Sequence, residues 1–117
     1  MKIPKSIWKL AEYEATLSPH RFRVGAVVFR NKYALGSGHN NHLKTHPKSP
    51  HPFKTIHAEF AAVTNALGNF FEGAVSNGRI LVVRLKADGT YGLAKPCKYC
   101  MFMLNQVGIK DINWSEG

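Results

Sequence analysis

The chain contains two cysteines, Cys97 and Cys100, and they are three residues apart in the sequence. Two cysteines this close together in the sequence cannot cross-link a small scaffold by disulfide bonds. In a reducing compartment such a pair is typical of a metal-binding or a redox-active site. The cysteines therefore predict a chemical role rather than a structural cross-link.

The length of 117 residues predicts one domain over residues 1–117, large enough for one hydrophobic core. No stretch approaches the length of a membrane-spanning helix, and residues 1–5 lack the apolar run of a signal peptide, so we expect a cytoplasmic protein without a membrane partner. The net charge of +9 favours anionic partners, namely nucleotides or nucleic acid. The alternative is a basic surface without a dedicated partner, because the cations are spread along the chain.

Hydrophobic periodicity and turn residues predict the element order α-β-β-α-β-α-β. A hairpin followed by two helix-linked parallel strands forms a mixed four-stranded sheet flanked by helices, an α/β fold with right-handed crossovers. The elements are a helix over 6–17, strands over 24–29 and 33–38 joined by a turn at 31–32, a helix over 57–67 ended by Gly68, a strand over 79–85, a turn at 88–89, a helix from Pro96 to Gln106 ended by Gly108, and a strand over 111–114.

A long polar loop over residues 39–55 holds four of the six histidines. Loops of this length in a compact domain are usually functional. His42, His46 and His51 can form a second metal site, or they can be solvated loop side chains. We favour the solvated reading, because the loop contains no cysteine.

Two predicted helix starts hold the reactive residues. Cys97 and Cys100 share a helical face, and the positive end of a helix favours the thiolate that zinc binds. His57 and Glu59 are two apart, so they do not share a lateral face, but both can reach beyond an open helix end. One imidazole and two thiolates leave a fourth tetrahedral position for water, which is typical of catalytic zinc sites.

The segments His57-x-Glu59 and Pro96-Cys97-x-x-Cys100 resemble the H-x-E…P-C-x-x-C signature of zinc-dependent nucleobase deaminases. Further similarity to the cytidine and deoxycytidylate deaminase superfamily, including small phage and viral members, lies in residues 24–28, 38–40, 44–47 and 108–109. The resemblance spans residues 22–114. It implies a three-layer cytidine-deaminase-like fold.

The resemblance also implies the roles of the residues. One catalytic zinc ion with a bound water is held by His57, Cys97 and Cys100, and Glu59 moves protons between water, ring nitrogen and leaving ammonia. A purely structural zinc would need a fourth ligand, such as His51 or His46, and would leave Glu59 without a task. A redox pair would leave both His57 and Glu59 unexplained.

Substrate contacts are expected around this centre. Asn40 aligns with a residue that contacts the substrate sugar in relatives, and its alternative role is a cap at a strand end. The other expected contacts are Ala58, His39, Phe53, Lys95, Pro96 and Arg23. Ala61 and Lys95 depart from residues common in relatives, which leaves the metal site intact but weakens any assignment of a particular substrate.

We expect hydrolytic deamination of a cytosine nucleoside or nucleotide to the uracil product, with deoxycytidylate as the leading substrate. The enzymatic alternative is a deaminase acting on cytosine or adenine within RNA or single-stranded DNA, which the charge favours. A different class is a non-catalytic, zinc-stabilised nucleic-acid-binding module. We also expect a homo-oligomer, and the similarity to small phage and viral members implies a phage- or virus-encoded protein that acts in the host cell.

Overall fold

The structure is a computed structural model, and it describes residues 2–51 and 55–117. The elements are α1 (Lys5–Thr16), β1 (Arg23–Arg30), β2 (Tyr33–His39), β3 (Asn41–Thr45), β4 (Thr55–Ile56), α2 (Ala58–Asn69), α3 (Glu72–Ser76), β5 (Arg79–Leu85), β6 (Tyr91–Gly92), α4 (Lys98–Val107) and β7 (Asp111–Trp114). None of the helices in these ranges is long and apolar enough to span a membrane.

The main sheet has the strand order β2-β1-β5-β6, and β7 pairs with the first part of β5. Strand β1 is antiparallel to both β2 and β5, whereas β5 and β7 are parallel. Helix α4 lies between β5 and β7 in the chain, as a parallel crossover requires. The predicted hairpin and the predicted parallel pair are therefore confirmed, with the short β6 as an additional fifth strand.

The two faces of the sheet are covered by different helices, which gives the three layers that the fold class implies. Val27 and Phe29 of β1 pack with Ile7 and Ala11 of α1 on one face. On the other face, the alternate β1 side chains pack in a core with residues of α2 and α4. The continuous apolar runs of β1 and β5 follow from this double coverage.

Glycines in β2 allow α2 to lie directly on the sheet. A Cβ at Gly36 would lie 2.3 Å from the backbone nitrogen of Ala66, and one at Gly38 would lie 2.4 Å from the Cβ of Ala61. The glycines lower the intrinsic strand propensity of this segment. They also fix the position of α2, and hence of the residues at its start.

Several predicted boundaries are wrong in detail. Helix α2 continues through Gly68 and ends at Asn69, with the extended Phe70 as its C-cap. Helix α4 begins at Lys98, so Pro96 precedes the helix instead of lying in its first turn. Gly108 does end α4, at φ 94°, in the left-handed conformation expected of a C-terminal glycine.

The segment predicted as a loop over 39–55 contains strands β3 and β4, which form a separate two-stranded sheet. Helix α3, with five residues, was also not predicted. These elements are short, and β4 and β6 have two residues each. Periodicity is not informative over such lengths, because two residues do not define a repeat.

Candidate metal centre and active site

The N-termini of helices α2 and α4 place the reactive side chains side by side. His57 is the N-cap of α2 and Cys97 is the N-cap of α4, and neither side chain caps its own helix. Cys100 lies in the first turn of α4 and is fully buried. Because the imidazole and the thiols are not used as caps, they can act as ligands between the two helix ends.

The donor atoms form a cluster. Nδ1 of His57 lies 4.0 Å from Sγ of Cys97 and 3.9 Å from Sγ of Cys100. Nε2 of His51 lies 3.1 Å and 3.6 Å from the same two sulfurs. All four ligand atoms are within 4.8 Å of one another.

These donors fit a zinc ion. Bonds of about 2.3 Å to sulfur and about 2.0–2.1 Å to nitrogen would place the donors of a tetrahedral site about 3.5 Å apart. The sulfur–nitrogen distances of 3.1–4.0 Å straddle that value. A mixed set of imidazole and thiolate is also the donor chemistry that zinc prefers.

His51 corrects the sequence analysis. We expected it to be a solvated loop side chain, but only 5% of its surface is exposed, and its ring stacks on His57 at a centroid separation of 3.4 Å. The sequence signal was weak, because nothing distinguishes His51 from His42 or His46 until the segment folds onto the helix ends.

Burial controls the protonation of the cluster. Burial, together with the nearby His51 and His20, lowers the pKa of His57 to about 4, so its imidazole is neutral and able to bind a metal. Burial, and after it the charge of Glu59, raises the pKa of Cys100 well above its usual value. A cation is therefore needed to hold Cys100 as a thiolate, and metal binding must release protons.

Glu59 is a buried carboxyl group next to this cluster. It lies in the first turn of α2 and is 5% exposed. Burial raises its pKa to about 7, although hydrogen bonds from its own backbone and from Cys100 oppose the shift. A carboxyl group with a pKa near neutrality can both take up and deliver a proton at physiological pH.

A cavity of about 390 Å³ opens beside the cluster, and His57, Glu59 and Cys97 contribute to its wall. This volume is within the range of small-molecule sites. His20 and His42 also line it, with their rings in an edge-to-face contact at 4.8 Å. The cavity thus joins a candidate metal centre to a carboxyl group and to basic side chains.

Comparison with known proteins gives the family. A family model described as the cytidine and deoxycytidylate deaminase zinc-binding region matches residues 1–116. The chain belongs to this family. It is accordingly a zinc-binding hydrolytic deaminase, as the resemblance implied, and the four-donor cluster is a plausible site for the zinc.

Solved structures agree with the deaminase fold. The dCMP deaminase of cyanophage S-TIM5 is 23% identical and has a TM-score of 0.70, with 96% of this chain and 81% of that chain covered. The cytidine deaminase of Mycobacterium tuberculosis is 19% identical and has a TM-score of 0.57, with 96% of this chain and 83% of that chain covered. No curated protein sequence matches the chain. At these identities the structures support the fold class and the three-layer architecture.

Three of the residues predicted to contact substrate line the cavity of this deaminase: Asn40, Ala58 and Lys95. The amide of Asn40 is well anchored. Its Oδ1 accepts hydrogen bonds from the Ser18 hydroxyl at 2.6 Å and from the Val24 N–H at 3.0 Å, and its Nδ2 donates to the carbonyl of Phe22 at 2.7 Å. Asn40 therefore also performs the strand-end capping that we considered as its alternative role.

His39 and Arg23 are used elsewhere in the deaminase. Nδ1 of His39 lies 2.9 Å from a carboxylate oxygen of Glu14 on α1, so its ring faces the helix on the other side of the sheet. The guanidinium of Arg23 donates to the carbonyl of Lys86 at 2.8 Å, which ties β1 to the end of β5. Neither residue is among the described residues of the cavity wall, and their contact with substrate stays a prediction.

Pro96 is buried directly before the N-cap of α4 and does not belong to the cavity wall of the described residues. Its rigid backbone positions Cys97, and its expected contact with substrate stays a prediction. Phe53, which was expected to contact substrate, lies outside the described residues. His20 and His42 were missed as cavity residues, because a histidine in a loop carries no signal of its own.

Proposed function

We propose that this deaminase converts deoxycytidylate to deoxyuridylate and releases ammonia. The observation that carries the proposal is the composition of one cavity wall. Glu59 lies there beside the metal ligands, and His20, His42 and Lys95 contribute basic groups to the same cavity. Among the described residues of this wall, Glu59 is the one acidic side chain, so the rest of the cavity favours an anionic ligand.

The solved relatives support the choice of a nucleotide. The dCMP deaminase of cyanophage S-TIM5, similar to this chain in fold, has been crystallised with dCMP and dUMP. A nucleotide differs from its nucleoside by a phosphate group, which basic side chains recognise by charge-assisted hydrogen bonds. The basic groups of the cavity therefore favour the nucleotide over the nucleoside.

His57, Cys97 and Cys100 would hold the zinc, whose contribution when bound is to polarise water and lower its pKa toward neutrality. The chain itself supplies the proton transfers. A carboxylate oxygen of Glu59 takes a proton from the attacking water and passes it to N3 of the cytosine ring. The water oxygen forms a bond to C4. Glu59 then takes the second proton from that oxygen and delivers it to N4, and the C4–N4 bond breaks to release ammonia and leave the C4 carbonyl of the uracil ring.

Asn40 and Lys95 would position the substrate. The amide of Asn40 has two N–H bonds, and one of them is used in the hydrogen bond to Phe22. The other can donate to a sugar oxygen without disturbing the anchoring of the side chain. The ammonium of Lys95 is 5.9 Å from the ring of Trp114 and belongs to an exposed side chain, so it can turn toward a phosphate.

A base within RNA or single-stranded DNA is the second candidate substrate. The net charge of +9 favours it, because contacts to phosphates dominate affinity for nucleic acids. The deoxycytidylate proposal rests instead on basic groups that lie in the cavity itself. Self-association of the chain also remains a prediction, which light scattering on the purified protein checks.

The direct experiment compares substrates. Zinc-loaded protein is incubated with deoxycytidylate, deoxycytidine, cytidine, an adenine nucleoside and a cytosine-containing oligonucleotide, and the deaminated products are quantified by chromatography. We expect the highest kcat/KM for deoxycytidylate. Turnover confined to the oligonucleotide would overturn the proposal.

A variant pair tests the phosphate contact. Lys95→Gln should raise the KM for deoxycytidylate about tenfold, the loss expected for one hydrogen bond to a charged group, and leave the KM for deoxycytidine unchanged. Lys98→Gln is the matched control, since Lys98 lies three residues further along and its ammonium is 5.2 Å from the ring of Tyr99. Equal effects of the two substitutions would show that overall charge, and not the cavity, selects the nucleotide.

A further inference from the structure

His51 is the fourth side chain of the metal cluster, and its position bears on how many protein ligands hold the zinc in the resting enzyme. Nε2 of His51 is 3.1 Å and 3.6 Å from the two sulfurs, closer to both than Nδ1 of His57 is. His51 lies outside the sequence signature that supplies the other three donors. Its position would allow it to fill the tetrahedral position that the signature leaves for water.

Hydrogen bonding between the side chains does not account for this arrangement. Each of two ring nitrogens faces both sulfurs, which makes four sulfur–nitrogen contacts of 3.1–4.0 Å. Each ring nitrogen has one in-plane N–H or one in-plane lone pair, so it can form one well-directed hydrogen bond and not two. A single cation between the four atoms attracts all the donors at once, and it explains why every ligand atom lies within 4.8 Å of the others.

The surroundings of His51 orient its ring for this contact. The Ser49 hydroxyl donates to the carbonyl of Thr55 at 2.7 Å and lies 3.4 Å from Nδ1 of His51. With its hydrogen used in that bond, the Ser49 oxygen can accept from Nδ1–H, which leaves the lone pair on Nε2 toward the sulfurs. Histidines that bind metals commonly donate their other ring N–H in this way.

We propose that His51 is a fourth zinc ligand in the resting enzyme, and that it must leave the metal before deamination can occur. The proposal rests on the zinc site of the proposed function. Four protein ligands close a tetrahedral site, whereas hydrolysis needs one open position. His51 is the ligand that leaves, since it is carried by the segment before β4, whereas the other three are fixed at the ends of α2 and α4.

X-ray absorption at the zinc edge tests the ligand set directly, because scattering from imidazole rings reports their number. The wild-type protein should show two sulfurs and two imidazoles, and His51→Gln should show two sulfurs and one imidazole. One imidazole in the wild type overturns the proposal. His46→Gln is the matched control. His46 precedes His51 in the same segment, but its ring packs on Phe60 of α2, so this substitution should leave the spectrum unchanged.

Zinc affinity and turnover give independent readouts. By competition with a chromophoric chelator, His51→Gln should bind zinc at least about tenfold more weakly, while His46→Gln should match the wild type. At saturating zinc, His51→Gln should raise kcat/KM, because no protein ligand then has to leave the metal, and an equal or lower kcat/KM in that zinc-loaded variant would contradict release of His51. Two imidazoles in a protein inactive on deoxycytidylate would refute the proposed substrate and leave the ligand assignment standing.

Discussion

His57 and Glu59 are two residues apart, and their side chains line the same cavity. A lateral face of a helix would not allow this, because residues at that spacing point in different directions. It is possible here because His57 is the N-cap of α2 and Glu59 lies in its first turn. The helix end thus brings a metal ligand and a proton-carrying group to one side of a substrate.

Replacement of the buried carboxyl group separates catalysis from metal binding. Glu59→Gln should lower kcat on deoxycytidylate at least about a hundredfold, within the usual contribution of a general acid–base group. The zinc content should remain one per chain, because the amide keeps the shape of the side chain and the ligands are untouched. Steady-state kinetics and elemental analysis on the same sample check both statements. A variant that retains wild-type turnover would remove Glu59 from the mechanism.

Close packing of α2 on β2 predicts a large stability effect at Gly36. A Cβ there would lie 2.3 Å from the Ala66 nitrogen, and backbone cannot move aside cheaply. Gly36→Ala should lower the free energy of unfolding by about 3 kcal/mol or more in chemical denaturation, at the upper end of overpacking costs.

Gly68→Ala is the matched control for this effect. Nothing lies within 4 Å of a Cβ at Gly68, and the residue is inside α2. The substitution should be neutral or stabilise the protein by up to about 1 kcal/mol through helix propensity. If both substitutions changed the free energy of unfolding equally, close contact between α2 and β2 would not explain why position 36 requires glycine.

The anchored amide of Asn40 predicts a coupled loss of stability and substrate affinity. Asn40→Ala removes hydrogen bonds to Ser18, Val24 and Phe22 and should destabilise the protein by about 2 kcal/mol, with an increased KM for deoxycytidylate. Asn41→Ala removes one exposed hydrogen bond, to the backbone of Leu43, and should cost at most about 1 kcal/mol. Chemical denaturation and steady-state kinetics on both variants check this. Equal losses of unfolding free energy and equal increases in KM would show that the hydrogen bonds of the Asn40 amide have no particular role.

Tyr91 gives a pH-dependent prediction. Its hydroxyl donates a hydrogen bond to a carboxylate oxygen of Glu12, which raises the pKa of Tyr91 to about 12. Because the folded pKa is raised, the stabilisation from this bond is complete below about pH 10, the unfolded pKa. It is lost as the pH rises through 12.

Ultraviolet absorbance of the phenolates follows this titration. Tyr91→Phe should remove a phenol that ionises late, and Glu12→Gln should shift that ionisation to lower pH. An unchanged late titration in Glu12→Gln would exclude Glu12 as the cause. The exposed position of the pair makes its contribution to stability small, so the spectrum is the more sensitive readout.

The sequence predicted the parts of the site that depend on local spacing. Cys97 and Cys100 are a helical turn apart, and His57 precedes Glu59 at a helix start, so these residues meet wherever the two helix ends meet. The position of His51 depends instead on how the segment that ends at this residue lies against those helix ends, which no local pattern encodes. The contact of His39 with Glu14 was not predictable for a related reason, since the strand face that its side chain takes depends on β2 remaining regular up to its last residue.

Strands β1, β2, β5 and β7 of the main sheet and the three longer helices were predictable because their apolar residues reflect burial on one or two sides. Strands β4 and β6 exist through pairing with a neighbour, at Asn41 and Thr45 for β4 and at Arg84 and Leu85 for β6. Gly68 shows that a glycine does not by itself determine where a helix ends. Glycine permits a helix to end, but here the helix continues one residue further.

Zinc removal and restoration test the central claim most directly. Purified protein should contain one zinc per chain, lose deamination of deoxycytidylate on treatment with a strong chelator, and recover it on addition of one equivalent of zinc. Recovery is expected because His57, Cys97 and Cys100 are held by two helix ends that belong to the core. Full turnover in metal-free protein, or a purified protein that binds no zinc, would contradict the account.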